Sequence, residues 1–262
     1  MRLSSVIGII GAIGVVFYAN HDEGDPVAAL LKMSAAMVVF GGTFMAMLIQ
    51  FELKGLIRTL KALKWLAKPP ENDPEALIAS FEKWTREARK RGMLALEQTV
   101  HELQDPFLRE GLQMVIDGVE LEPLRRTLEA RMETDNQADE RPAQAWESAG
   151  GYAPTIGVLG AVIGLIHVML NLSNPSSLGG GIATAFVATI YGVGSANLVF
   201  LPVGNRLKNV AEDQARYREM VLEATLLLAE GANAQTIRTQ LKSFVAGTAK
   251  SGNEGVEDEK AA

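Results

Sequence analysis

The sequence predicts an all-α membrane protein: four transmembrane helices plus a helical cytoplasmic domain, with both termini cytoplasmic. Three observations lead there. Gly151–Leu201 contains no Asp, Glu, Lys or Arg and divides into two apolar runs, Tyr152–Leu172 and Gly181–Leu201. Each is close to the roughly 20 residues that a helix needs to cross a bilayer. Two more apolar runs, Leu3–Ala19 and Val27–Phe51, lie near the N-terminus. Cations then crowd one side of these runs. Glu52–Lys68 carries Lys54, Arg58, Lys61, Lys64 and Lys68 against the single acid Glu52, whereas the loops 20–26 and 173–180 hold no Lys or Arg. That asymmetry marks the cytoplasmic side.

Taken in order, Leu3–Ala19 carries Gly8, Gly11 and Gly14, a small-residue face suited to close helix packing. Its flank holds only Arg2, and Phe17-Tyr18-Ala19-Asn20 makes a poor cleavage site, so the run reads as a retained span rather than a signal peptide. The short outer loop 20–26 is acidic. The second span, Val27–Phe51, has Lys32 near its start and Gly41-Gly42 at its centre, which gives a first membrane segment of 1–51.

Residues 52–150 read as a cytoplasmic helical domain. Asp73-Pro74 and Asp105-Pro106 each pair an N-cap residue with a proline at the first helical position. Leu77, Ile78, Phe81 and Trp84 recur at helical spacing, as do Leu121, Leu124, Leu128 and Met132. No alternating run is long enough for a strand. The third and fourth spans occupy 151–201, joined by the short outer loop 173–180. Within 202–246, the series Leu207, Val210, Tyr217, Met220, Val221, Ala224, Leu227 and Leu228 predicts one long helix leaving the membrane. Asn233 caps a short final helix through Phe244. The polar segment 247–262 reads as a disordered tail.

The chain of 262 residues has no cysteine, so it has no disulfide framework and no thiolate chemistry. Its net charge of −6 argues against a nucleic-acid-binding surface. His21, His101 and His167 lack ligand spacing, and no phosphate loop or nucleophile elbow is present. The chain therefore does not read as an enzyme, and no cofactor or metal is expected. An ion pathway has more support. Membrane proteins that move protons or cations use buried carboxylates as carriers. The four apolar runs contain none: Glu52 lies at the cytoplasmic end of the second, and Asp22, Glu23 and Asp25 lie in the outer loop. The carrier carboxylate must then come from another chain, whose helix a wall of Gly, Ala and Thr would let approach closely.

Four blocks carry a family resemblance. Gly150-Gly-Tyr-Ala-Pro-Thr-Ile-Gly-Val-Leu-Gly-Ala-Val-Ile-Gly-Leu-Ile-His167 resembles the third span of MotA-type flagellar stator proteins, a group that includes PomA. Ala185-Phe-Val-Ala-Thr-Ile-Tyr-Gly-Val-Gly-Ser-Ala-Asn-Leu-Val-Phe-Leu-Pro202 resembles the fourth. Arg89-Lys-Arg-Gly-Met-Leu-Ala-Leu-Glu97 resembles the charged cytoplasmic motif, and Asp105-Pro-Phe-Leu-Arg-Glu-Gly-Leu-Gln-Met-Val-Ile-Asp-Gly118 the segment that follows. The blocks occur in family order. The related TolQ and ExbB energisers have three spans, so the four-span layout favours the stator branch. The resemblance implies a multi-pass protein of the bacterial inner membrane, a pentamer of this chain around a MotB-like single-span, peptidoglycan-binding partner, and torque on a FliG-type rotor protein. The alternatives are a TolQ/ExbB-like proton-driven energiser and a sodium-driven PomA-like stator.

Residue by residue, the resemblance makes Arg89 and Glu97 the rotor-facing pair, with Lys90 and Arg91 able to share or replace the role of Arg89. On one continuous helix Arg89 and Glu97 would lie about 80° apart, although Gly92 between them can break such a helix. Their plain alternative is a solvated charged face. Pro154 and Pro202 match the prolines that couple ion transfer to the cytoplasmic helices; the alternative is that each marks the start or stop of a span. Thr189 matches a pore-facing threonine, whose alternative is a back-bond to the carbonyl four residues earlier. Sodium-type members add threonine at the positions of Ala161 and Ala188. Alanine supplies no oxygen ligand for a hard cation, which points to H+ rather than Na+. His167 is expected to pack near the outer membrane boundary or to bond between helices, and Asn197 to bond a neighbouring helix. Trp65 and Trp84 read as anchors at the interface or in the cytoplasmic core.

Overall fold

The structure is a computed structural model that describes Gly11, Gly14 and residues 30–173 and 175–244, and among these residues it contains helices and no strand. The candidate first span Leu3–Ala19 (apart from Gly11 and Gly14), the outer loop 20–26 and the tail 247–262 lie outside the described residues. The chain divides into two compact units: Met1–Pro69 with Asp139–Val210, and Pro70–Ala138 with Ala211–Ala262.

The first unit is built on α1 (Met33–Gln50), α7 (Leu121–Leu170) from Asp139 onward, and α8 (Pro175–Ser195) running on into α9 (Leu201–Ala229). Three described helices are long and apolar enough to cross a membrane: Met33–Gln50, Leu121–Leu170 and Leu178–Ala229. Two of them contain a π turn, at Met37–Gly41 and at Ala196–Phe200. Between α1 and α7 lie α2 (Leu53–Ala62) and α3 (Lys64–Ala67) in the first unit, and α4 (Pro74–Arg91), α5 (Glu97–Glu102) and α6 (Pro106–Ile116) in the second. Along α2, Leu56, Thr59 and Ala62 are buried, while Leu53, Ile57 and Leu60 stay exposed beside Lys54, Arg58 and Lys61. An exposed apolar stripe flanked by cations is the pattern of a helix lying in a membrane interface.

The second unit gathers its apolar residues inside. Phe81, Leu112, Leu124, Leu128, Leu226, Leu228, Ile237 and Leu241 are buried in one cluster, with Phe81 and Trp84 edge to face at 5.0 Å. Its helix starts follow from local chemistry. Asp73 Oδ1 accepts from the N–H groups of Glu75 and Ala76, and Asp105 Oδ1 from those of Phe107 and Leu108, each with proline at the first position. Asn233 Oδ1 accepts from the Thr236 N–H and starts the helix α10, residues 234–244.

Burial, with Asp105 and Asp73 adding negative charge, pushes the Tyr217 hydroxyl up to about 12 from its ordinary 10.0. The unfolded chain therefore gives up this proton first. Stability is fully present below pH 10, the unfolded value, and is lost as pH climbs towards about 12. Alkaline unfolding of the purified protein should show this decline, and Tyr217→Phe should remove that part of the slope.

The expected membrane-to-cytoplasm divisions at 150/151 and 201/202 fall inside continuous helical stretches, because hydropathy changes along α7 and α9 without interrupting their backbone hydrogen bonds. The loop expected over 173–180 is shorter, since α8 already begins at Pro175. Proline's fixed φ is suited to a helix start.

Candidate functional site

The packing of α7 against α8 sets the geometry of the charge-free segment. A β-carbon on Gly192 would lie 2.5 Å from the Ala153 carbonyl oxygen and 2.9 Å from the Gly157 α-carbon. One on Gly157 would lie 2.9 Å from the Ala188 carbonyl oxygen, and one on Gly164 would sit 3.0 Å from the Ala185 backbone. The helices thus touch backbone to backbone, an approach that only small residues permit. Helix α1 joins the same seam: β-carbons on Gly160 and Gly42 would meet Val38 and Ile156 respectively. The contacts pair rising numbers in α1 with falling numbers in α7, so these two helices run antiparallel. The Tyr152 hydroxyl and Gln50 Oε1 share a hydrogen bond of 3.0 Å across them.

The three residues expected along an ion path occupy different positions. Ala188 is 0% exposed, with its methyl in the seam against Gly160. Within this chain it therefore packs inside the seam and not on an open surface. Thr189, one residue on and about 100° round the helix, is half-buried. Its hydroxyl donates to the Ala185 carbonyl at 3.4 Å, the long edge of a hydrogen bond, so the back-bond is weak. Ala161 is half-buried.

Beside them α1, α7 and α8 enclose a pocket of about 410 Å³ whose polar lining is Ser34, His167 and Thr184. Its room comes from glycines, with Gly160, Gly164, Gly180 and Gly181 all at its wall. Ser34 and Thr184 are additions to the sequence reading; the Gly179-Gly180-Gly181 run just before Thr184 is the signal that could have found the latter. No Asp or Glu lines the pocket.

Pro154 does not begin or interrupt a helix: α7 runs through it without a break. Proline removes a backbone donor and crowds the carbonyl four residues earlier, here that of Gly150. Pro202 lies in the first turn of α9, directly after the π turn. There the Leu201 N–H reaches back five residues to the Ala196 carbonyl. The wider turn spans the Leu198 carbonyl that the Pro202 ring would otherwise crowd. Asn197 is a correction: Nδ2 donates to Val193 of its own helix at 2.9 Å rather than to a neighbouring helix. His167 is exposed, and its carbonyl accepts from Asn171 Nδ2. Trp84 is buried in the core of the second unit; Trp65 is half-buried against Ala62, Ala143, Val203 and Leu207 in the first.

In the second unit the charged motif is ordered but is not one helix. Helix α4 stops at Arg91, Gly92 takes φ 85, a 3-10 turn covers Met93–Leu96, and Glu97 opens α5. The angle expected for Arg89 and Glu97 on one continuous helix therefore does not apply. Arg89, Lys90, Arg91 and Glu97 are all exposed. No group of His, Asp and Glu able to hold a metal occurs among the described residues.

Residues 99–220 match the MotA/TolQ/ExbB proton channel family. The chain is similar to Motility protein A of Bacillus subtilis, at 34% identity over 94% of this chain and 91% of the relative. It is similar to Motility protein A of Helicobacter pylori, at 30% identity over 94% of this chain and 96% of the relative. Two solved structures share its fold. One, described as the structure of C. jejuni MotAB, superposes with a TM-score of 0.84 at 29% identity, covering 93% of this chain and 96% of the other. The flagellar MotAB stator complex from Bacillus subtilis gives 0.81 at 33% identity, covering 90% and 93%.

Proposed function

The chain belongs to the MotA/TolQ/ExbB proton channel family, and on that premise we propose that it is the stator subunit of a bacterial flagellar motor, converting proton flow into torque on the rotor. The observation that carries the reading is the glycine-packed α7–α8 pair. It is apolar, long enough to span a bilayer, and free of any carboxylate between Glu147 and Arg206. Such a pair is half of an ion site. A MotB-like partner, anchored to peptidoglycan, supplies the missing carboxylate, and Thr189 is the hydroxyl at the seam's edge that orders water beside it.

In this reading the described spans and the N-terminal run make four crossings of the inner membrane, with both termini cytoplasmic and α2 lying at the cytoplasmic interface. Several copies, five by the family pattern, surround the partner. The exposed apolar residues Val158, Leu159, Val162 and Ile166 of α7 and Phe186, Ile190 and Val193 of α8 then face lipid, partner or neighbouring copies. Protonation of the partner carboxylate changes what the wall meets. Pro154 and Pro202, each set in a helix that also contributes to the second unit, are the places where a bend alters those helices. The second unit presents its charged motif to a FliG-type rotor. Alanine at 161 and 188 favours H+ over Na+, since neither offers an oxygen to a dehydrated cation.

The test is swimming speed in low sodium, with and without a protonophore. Loss of motility with the protonophore, and none on sodium removal, is expected. Sodium-dependent motility that survives the protonophore overturns the choice of ion. Unchanged motility after deletion of the chain overturns the motor reading.

A further inference from the structure

Helix α7 meets α1 and α8 along different sides. Towards α1 it presents Ile156, Gly160 and His167, the first two against Gly42 and Val38 and the third in the pocket wall with Ser34. Towards α8 it presents Ala153, Gly157 and Gly164. A third side belongs to neither. Residues seven apart advance by nearly two turns, about 700°, so Glu147, Pro154 and Ala161 form one row along α7. Pro154 lies about 200° round the helix from Ile156, which puts the row on the side away from α1. All three members are half-buried.

Helix α8 has a matching side. Val187 packs with Ala35 and Val39 of α1, and the Tyr191 ring lies 5.7 Å from that of Phe40. Thr189 stands between these two in sequence, about 200° from each, and so also faces away from α1. Val158 and Leu165, on the same side of α7 as the row, are 56% and 50% exposed, so no described helix covers this face. One open face of the α7–α8 pair therefore carries Ala161, Thr189 and Pro154, with Glu147 at its cytoplasmic end.

Glu147 is built into that end. A β-carbon on Gly204 of α9 would lie 3.1 Å from the Glu147 Cγ and 3.2 Å from its backbone nitrogen. Glycine at 204 thus makes the room that the stem of the carboxylate fills. The carboxylate has no hydrogen-bond or ion-pair partner among the described residues. Arg206 lies about 200° round α9 from Gly204, on the far side, and Lys208, one turn beyond Gly204 on the near side, is exposed. The adjoining turns of α7 offer Ala143, Gly150 and Gly151, none of them charged. A carboxylate half withdrawn from water without a partner costs stability rather than adding to it. Glu147 is also the acid nearest to the uncharged segment, since beyond Pro202 the next one is Glu212.

We propose that Glu147 is the proton acceptor at the cytoplasmic end of this face: it takes the proton that the partner's carboxylic acid gives up and passes it to the water of the cytoplasm. This rests on the proton-driven reading. In the transfer the partner's acid returns to carboxylate and Glu147 becomes a neutral carboxylic acid; release of the proton to water restores its charge. At roughly 1.5 Å per residue, Ala161 lies about 21 Å from Glu147 along α7, so water held on the face carries the proton between them.

The test is proton flux in vesicles that hold the chain with its single-span partner. Glu147→Gln should lower the flux about a hundredfold, the lower end of what a positioned proton-transfer group contributes. Glu147→Asp should keep most of it. Formate on the cytoplasmic side, a small mobile acid, should restore flux to Glu147→Gln and leave the parent complex unchanged; a purely structural loss would not respond to it. Thermal stability of the Glu147→Gln complex should hold or rise, since no ion pair is lost. Flux equal to that of the parent in Glu147→Gln, or a loss that formate does not relieve, overturns the proposal while the proton-driven reading stands. A parent complex that conducts no protons overturns that reading, and the proposal with it.

Discussion

Gly192→Ala is expected to abolish motility and to destabilise the purified chain, although it adds one methyl group to a helix. In an open helix interior the same change gains about 1 kcal/mol. Here the new carbon would sit 2.5 Å from the Ala153 carbonyl oxygen and 2.9 Å from the Gly157 α-carbon. Both obstacles are backbone, so no rotamer change relieves them, and α7 and α8 have to separate. Overpacking costs about 1–3 kcal/mol even where side chains can adjust, and the upper end applies to a backbone clash. Separation would also empty the Ala188 packing site and pull Val187 and Ala188 from Ala35 and Val39 of α1. Gly151→Ala is the control. Nothing lies within 4 Å of its β-carbon position, so thermal stability of the purified chain should hold or rise. A Gly192→Ala strain that swims like its parent would show that the seam has slack the distances deny.

The comparison of these two glycines shows what sequence can and cannot convey. Residue composition alone marks the α7–α8 segment as a close-packing surface without charge. Which glycine bears the contact depends on register: Gly192 lies over Ala153 and Gly157, whereas Gly151, three residues before Pro154, faces open space. The same limit explains Ala188 and Thr189. They are adjacent small residues, and only the direction of the facing helix puts one in the seam and the other at its edge. Local chemistry was fully legible, because Asp73, Asp105 and Asn233 bond to N–H groups two or three residues away. The π turns were not, since a bond reaching back five residues instead of four leaves no period in the sequence. Nor was the hydrogen bond from Arg89 Nη2 to the Gly231 carbonyl: a donor and acceptor 142 residues apart share no local signal, and a charge-rich stretch reads equally as a solvated face.

Vesicles that hold the chain alone are expected not to conduct protons, and vesicles that hold it with its single-span partner are expected to do so. A proton crossing the apolar layer needs a group that binds it and releases it, since an isolated charge there costs several kcal/mol. Between Glu147 and Arg206 the chain offers no carboxylate. The pocket beside α1 supplies two hydroxyls and the His167 ring, and the seam below it is closed by backbone contacts at Gly157, Gly164 and Gly192. A hydroxyl can pass a proton along ordered water but cannot store it. Replacing the partner's carboxylate with its amide should therefore silence the complex as completely as leaving the partner out. Thr189→Val in the intact complex should slow conduction while assembly stays normal, and Thr189→Ser should restore it, because the Ala185 back-bond at 3.4 Å leaves the hydroxyl weakly held. Proton flux through the chain alone, at a rate comparable to that of the complex, would mean that the wall carries its own relay and that the partner only anchors it.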